Sequence, residues 1–281
     1  MAPTFPPLLA NKVTLANGMA IPQIQLGLYM MSGSEVTRSV RWALLSGYRG
    51  FDSAQMYRNE REAGRAITDF LSSSENTLGL KREDVFYTSK LASNSDSYDA
   101  VRNSIKRSVA LCGLGYIDLF LLHSPYGGRE ARLTSWRALE DAVGDGEVRM
   151  AGIEELMASN PRLVPVINQI EVHPFNTQTA IRNTCAKHGI AIEAYAPLAR
   201  AMRMGHPKIV ELASKYSVSL AQLLVRWGLQ HNMITLPKSV RRERLLENAD
   251  VGGFEISEAD MAAMDGLDEH LVTDWDPTDC P

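Results

Sequence analysis

An aspartate and a phenol, Asp52 and Tyr57, follow a short apolar run within residues 47–57 (GYRGFDSAQMY), and two further side chains that can hold or move a proton, Lys90 and His123, close later apolar runs. A strand ending near Asp52 puts its carboxylate and the phenol just beyond it at one edge of a sheet. Lys90 and His123 fall at the ends of two more such strands. Brought together, the four would form a proton-transfer device. A tyrosine beside an ammonium is a proton donor expected to titrate below its reference of ~10, and a neighbouring histidine can hold a carbonyl oxygen. Taken singly, each has a plainer role: Asp52 as a turn cap, Lys90 as a solvated loop lysine, His123 as a core histidine, Tyr57 as a rim aromatic. Four coincident strand-end positions favour a shared site. A Schiff-base role for Lys90 is opposed by Asp52, because an ion pair keeps the amine charged.

The elements that must position these groups alternate along the chain. Residues 13–21 alternate about Asn17-Gly18, the favoured type I′ pair, and predict a hairpin that closes one end of the domain. Strands are expected at 24–29, 48–52, 85–90, 116–122, 148–153, 165–170, 190–195 and 233–236. Helices are expected at 34–46, 59–71, 97–111, 133–143, 177–188, 207–216, 220–230, 242–249 and 257–267, from apolar spacing such as Val36, Val40, Ala43 and Leu44. Roughly eight strand–helix units imply parallel pairing, right-handed crossovers and a closed barrel, so the fold class is α/β: a (β/α)8 TIM barrel with an N-terminal β-hairpin. No linker divides it, and residues 1–281 read as one domain with irregular tails at 1–11 and 273–281. A dinucleotide turn between a first strand and its helix is missing: Gly113-Leu114-Gly115 precedes a strand and Gly144-Asp145-Gly146 ends a helix. Trp136 and Trp227 fall within amphipathic helices and read as packing residues.

Composition narrows the function. With 45% hydrophobic and 22% charged residues the chain can bury a sizeable core, and a net charge of -4 offers no excess of cations to neutralise nucleic-acid phosphates. Cys112, Cys185 and Cys280 are too widely spaced for a metal site or a disulfide framework. The proline-broken start lacks a basic n-region, and no apolar run approaches the ~20 residues that span a bilayer. A cytoplasmic location is expected, with no nucleic-acid or membrane partner; the sequence carries no signature of oligomeric state. Arg241, Arg242 and Arg244 at a helix start oppose the helix dipole, which suggests an anion there. The plainer reading of these arginines is a charged helix end.

Residues 47–60 (GYRGFDSAQMYRNE), 168–174 (NQIEVHP), 193–198 (EAYAPL) and 236–248 (LPKSVRRERLLEN) resemble the signatures of the aldo-keto reductases, in order, over residues from about Lys12 onward. The resemblance implies that Tyr57 is the general acid, that Lys90 paired with Asp52 tunes it, and that His123 orients the substrate oxygen. It also implies NADPH/NADP+ as cofactor, with Lys238, Ser239 and Arg244 around the 2′-phosphate, Glu247 and Asn248 at the adenine, Tyr195 stacked on the nicotinamide and Gln169 on its carboxamide. Leu28, Tyr29, Pro125 and Tyr126 would wall a small-molecule carbonyl substrate, with alcohol oxidation as the reverse reaction. His173 and Pro174 read as loop structure.

The chain departs from this pattern after Gly152. Where the family continues with a Ser-Asn pair and a full helix, the sequence runs directly into Ile153-Glu154-Glu155-Leu156-Met157, about nine residues short. That pair would share the carboxamide with Gln169, and Ser159-Asn160, expected at the far end of the shortened helix, is no replacement. Two lost hydrogen bonds of roughly 0.5–1.5 kcal/mol each would loosen the nicotinamide. The alternative function is therefore a cofactor-binding, regulatory or catalytically impaired relative.

Overall fold

The computed structural model describes residues 5–152 and 162–276. An antiparallel hairpin, β1 (Lys12–Thr14) and β2 (Ala20–Pro22), comes first. Its turn is not the expected type I′ pair, because Asn17 keeps a negative φ. Gly18 donates back to Leu15 at 2.8 Å and alone takes the left-handed conformation, at φ 81°. This is the three-residue loop in which a tight turn ends on a left-handed glycine. Leu15 and Ile21 of the hairpin pack with Phe86, Leu119, Leu121, Met150 and Ile167, sealing one end of the barrel as expected.

Among the described residues eight strands follow, paired in parallel: β3 (Leu26–Gly27), β4 (Gly50–Asp52), β5 (Phe86–Leu91), β6 (Leu119–Leu122) and β7 (Ala151–Gly152) form one run, and β8 (Ile167–Glu171), β9 (Ala191–Tyr195) and β10 (Ile234–Thr235) another. The two runs join where Ile24 bridges Thr235 and the Gln25 amide donates to the Thr235 carbonyl at 3.0 Å. The result is the (β/α)8 barrel, capped by the hairpin. On the other side, no ladder links β7 to β8 among the described residues. This seam borders the place where the resemblance implies a missing stretch; Ser159 and Asn160 lie outside the described residues.

The helices lie close to their expected positions: α1 (Gly33–Leu45), α2 (Glu60–Leu71), α3 (Tyr98–Cys112), α4 (Gly128–Gly144), α5 (Thr179–Lys187), α6 (Pro207–Tyr216), α7 (Leu220–Gln230), α8 (Arg242–Ala249) and α9 (Glu258–Asp265). α1 starts at Gly33 behind Ser32, and Ser34 is inside it. α4 starts five residues before the expected 133, because its first turn, Gly-Arg-Glu-Ala, carries little of the apolar period. α2 and α3 approach so closely that a Cβ at Gly64 would lie 1.8 Å from the Cys112 carbonyl oxygen, so only glycine fits. Trp136 and Trp227 are buried packing residues, as expected.

Strand alternation decides which side chains enter the barrel. Phe86 packs against the hairpin inside, whereas Tyr87 packs outward with the helices, so Thr88 and Lys90 also point in. Likewise Phe51 faces the helices, which turns Gly50 and Asp52 inward, and Leu119 and Leu121 lead His123 to the inner rim. Ile167 sets Gln169 and Glu171 inward, and Ala191 sets Glu193 and Tyr195 inward.

Candidate active site

At the carboxyl ends of β4 and β5, the buried Lys90 ammonium is held by three acceptors. Its Nζ donates to Asp52 Oδ1 at 2.6 Å, to the Ser53 carbonyl at 2.9 Å and to the Tyr57 hydroxyl oxygen at 3.2 Å. Tyr57 sits on a 3-10 turn, Gln55–Tyr57, directly after β4. That turn is braced on both sides. Gln55 donates to Ser104 Oγ and Ser108 Oγ, both at 2.9 Å, and accepts the Ala92 amide; Asn59 ties the following residues to the Leu28 and Met31 carbonyls, both at 3.0 Å. The phenol ring stands between Tyr29, with centroids 5.0 Å apart, and His123 at 5.6 Å edge-on. The four residues singled out by type and spacing thus meet at one mouth.

Burial raises the Tyr57 pKa, and the nearby Lys90 charge only partly offsets it. The expectation of a phenol acidified below its reference value is therefore corrected: desolvation of the phenolate outweighs one ammonium. The phenol stays fully protonated at neutral pH. Burial also works against the Lys90 ammonium, yet Asp52 and Tyr57 hold its pKa above the ordinary lysine value. Burial, assisted by the Lys90 charge, pushes His123 down to about 3, so its imidazole is neutral. Its Nδ1 is buried without a partner among the described residues.

The mouth opens into a cavity of about 2100 Å3, larger than the roughly 300–1,000 Å3 typical of a single small-molecule site. Tyr29, Tyr126, Gln169 and Tyr195 line it near Tyr57, and it runs on to Lys238, Arg241 and Arg244 about the start of α8 and to Glu247 and Asn248 in its last turn. Lys238, Arg241 and Arg244 are exposed, and among the described residues their side chains enter no ion pair. Gln169 gives its amide hydrogens to Asp52 Oδ2 at 2.9 Å and Glu193 Oε2 at 2.7 Å.

Two expected contacts are not at the cavity. Leu28 is fully buried in the core between barrel and helices, because the alternation that brings Gly27 and Tyr29 to the cavity turns it outward. Ser239 is folded into its own turn, its Oγ accepting the Arg241 amide at 3.1 Å, and does not line the cavity. Conversely, the irregular tail contributes more than expected. Trp275 lines the cavity and packs on Tyr126 at 5.5 Å, and Asp274 pairs with Arg200 at 2.7 Å beside Tyr29. A lone tryptophan in a polar tail was the available signal. Glu193, a charged residue at an inward position of an apolar strand, carried a similar one.

A family profile described as Aldo/keto reductase family matches residues 23–269. The chain is 45% identical to an oxidoreductase of Schizosaccharomyces pombe, over 98% of this chain and 100% of that protein. It is 35% identical to the glyoxal reductase of Bacillus subtilis, over 94% of this chain and 95% of that enzyme. Among solved structures, the Bombyx mori aldo-keto reductase in complex with NADP superposes with a TM-score of 0.87 at 29% identity, covering 97% of this chain and 98% of that one. With the barrel, the strand-end constellation and these likenesses in agreement, the chain belongs to the aldo-keto reductase family of oxidoreductases.

Proposed function

We propose that the protein reduces small aldehydes or ketones to alcohols with NADPH, and that Tyr57 is the general acid. The observation that carries this reading is the Tyr57 hydroxyl 3.2 Å from a buried, carboxylate-paired ammonium, at the mouth of a cavity whose far end presents three exposed cations that enter no ion pair among the described residues. NADP fits the residues present. Lys238 and Arg244, with Arg241 beside them, suit a compact dianion such as a 2′-phosphate; Asn248 and Glu247 bound the adenine end, and Tyr195 offers a ring for stacking at the other. Ser239 supports the phosphate end through its turn. When bound, the reduced cofactor supplies the hydride.

The chain's own residues supply the proton and the orientation. Neutral His123 and the Tyr57 hydroxyl converge on the carbonyl oxygen, which fixes the carbonyl and polarises it. As the carbon accepts hydride, the oxygen takes the phenolic proton and the alcohol forms. The phenolate left on Tyr57 is stabilised by Lys90 and regains its proton from solvent. Tyr29, Tyr126 and Trp275 wall the mouth with aromatic surface and limit water there. The proposed location is cytoplasmic, with residues 1–281 acting as one domain.

A cofactor-binding protein of impaired turnover is the second reading, favoured by a β7–β8 seam with no ladder among the described residues and by a Gln169 amide already committed to two carboxylates. Loss of NADPH absorbance with a reactive aromatic aldehyde separates the two. Turnover that disappears in Tyr57→Phe supports reduction; NADPH binding with no turnover over an aldehyde panel overturns it.

A further inference from the structure

Below the Lys90–Asp52 pair, inside the barrel, lies a second carboxylate that the proton-donor reading leaves unused. Glu193 is fully buried on β9. Its Oε1 accepts from Gln25 Nε2 and its Oε2 from Gln169 Nε2, both at 2.7 Å, and the same Gln169 nitrogen donates to Asp52 Oδ2 at 2.9 Å. An amide nitrogen has two hydrogens, so Gln169 is oriented entirely by the two carboxylates. Gln25 is fixed in turn by packing: a Cβ at Gly50 would lie 2.4 Å from its side chain, and the strand carries glycine there. A continuous path therefore runs Gln25, Glu193, Gln169, Asp52, Lys90, Tyr57.

We propose that Glu193 is a positioning residue for the proton donation assigned above to Tyr57: by fixing Gln169 it braces the Asp52 carboxylate, and so keeps the Lys90 ammonium on the Tyr57 hydroxyl. Without an acceptor at 193, Gln169 has one buried hydrogen unsatisfied and is free to turn, Asp52 loses its second anchor, and the pair that aims Lys90 slackens. The charged groups facing Glu193 are Asp52 and Lys90; Gln25 and Gln169 are neutral. Burial, and then the Asp52 charge, push Glu193 up to about 8. Gln25 Oε1 is buried and unpartnered among the described residues, so an amide flip lets it accept a hydrogen from a protonated Glu193. The same flip accommodates a glutamine at that position.

The test compares wild type with Glu193→Leu and Glu193→Gln by steady-state aldehyde reduction and by ultraviolet titration of the phenol, read as the difference from Tyr57→Phe. In Glu193→Leu, kcat falls about ten- to hundredfold with aldehyde KM nearly unchanged, the scale expected of a displaced catalytic group. The Tyr57 titration moves to higher pH, because the ammonium no longer steadies the phenolate. Glu193→Gln restores kcat to within about threefold of wild type and abolishes the upward shift, leaving the phenol titration at or below the wild-type pH. Removing a negative charge without displacing Lys90 moves the titration to lower pH. A downward shift or none in Glu193→Leu overturns the proposal, as does a Glu193→Gln protein equally impaired. Should Glu193→Leu not fold, Gln25→Met withdraws one of the two donors at similar volume and carries the same upward shift; a wild-type titration there overturns the brace. The titration needs no turnover, so failure to reduce aldehydes sinks the proton-donor reading while the phenol shift still decides on Glu193.

Discussion

The two ends of the cavity are built on opposite electrostatic plans. At the β4–β5 rim the ammonium of Lys90 has all three hydrogens committed to protein acceptors, and the second oxygen of its partner Asp52 is held by Gln169. At the start of α8, Lys238, Arg241 and Arg244 are exposed and unpaired among the described residues. Folding has already covered the cost of burying charge at the first end. At the second it leaves cations in water, where they cost little to keep and lose little on meeting an anion. A group whose geometry must be right before substrate arrives is locked by the fold, and a group that only has to attract is left to its ligand.

The sharpest way to break this comparison is to remove the proton without disturbing the lock. Tyr57→Phe keeps the ring between Tyr29 and His123 and deletes one oxygen; kcat falls about 10²–10⁴-fold while NADPH affinity, by fluorescence titration, stays at the wild-type value. Opening the lock itself comes next. Lys90→Met leaves Asp52 buried beside Glu193 with no cation, and unfolding in denaturant shows a loss of about 3–5 kcal/mol. Asp52→Asn combined with Lys90→Met recovers part of that loss, because it removes the stranded charge. A single variant as stable as wild type would mean that the pair is not held as tightly as its 2.6 Å contact implies.

The contrast also shows what could be read from residues alone. The barrel was legible because its apolar runs and helical periods recur without a break, and the four rim groups were legible because each ends a run or, for Tyr57, follows one closely. Strict alternation along 24–29 would have removed Leu28 from the pocket: Ile24, Leu26 and Leu28 face the helices, while Gln25, Gly27 and Tyr29 face in. The phenol's raised pKa was not legible, since it depends on how deeply Tyr57 is buried, and neighbouring residue types do not report depth. Glu193 stood in a recognisable stretch, yet its connection to Asp52 passes through Gln169 from another strand. Trp275 reaches Tyr126 only through the path of an irregular tail, which no period announces.

The open end is tested by taking away a cation. Arg244→Ala removes a charge-assisted contact worth about 1.5–3 kcal/mol, so the NADPH dissociation constant rises roughly ten- to hundredfold. NADH, with no 2′-phosphate to lose, binds as before, and kcat at saturating NADPH is retained. Equal weakening for both nucleotides would take the phosphate away from Arg244 and with it the contrast between a locked rim and a waiting one.

The smallest effect concerns the rim imidazole, which burial keeps uncharged. His123 takes a proton near pH 6.5 when exposed, but in the fold burial and the Lys90 charge hold that event down to about 3. Between those values the unfolded chain binds the extra proton and the folded chain does not, so stability contributed by the neutral imidazole above pH 6.5 is withdrawn as the pH falls toward 3. His123 is partly exposed, and solvent screening trims the effect, to about 2–4 °C in melting temperature for roughly 1 kcal/mol in a chain of this size. His123→Asn has no proton to take up there, so its melting temperature declines less steeply than that of wild type from pH 6.5 downward. Parallel declines would mean that the imidazole is already charged beside Lys90, and a charged imidazole would reach the carbonyl as a second acid, competing with Tyr57 for the same oxygen.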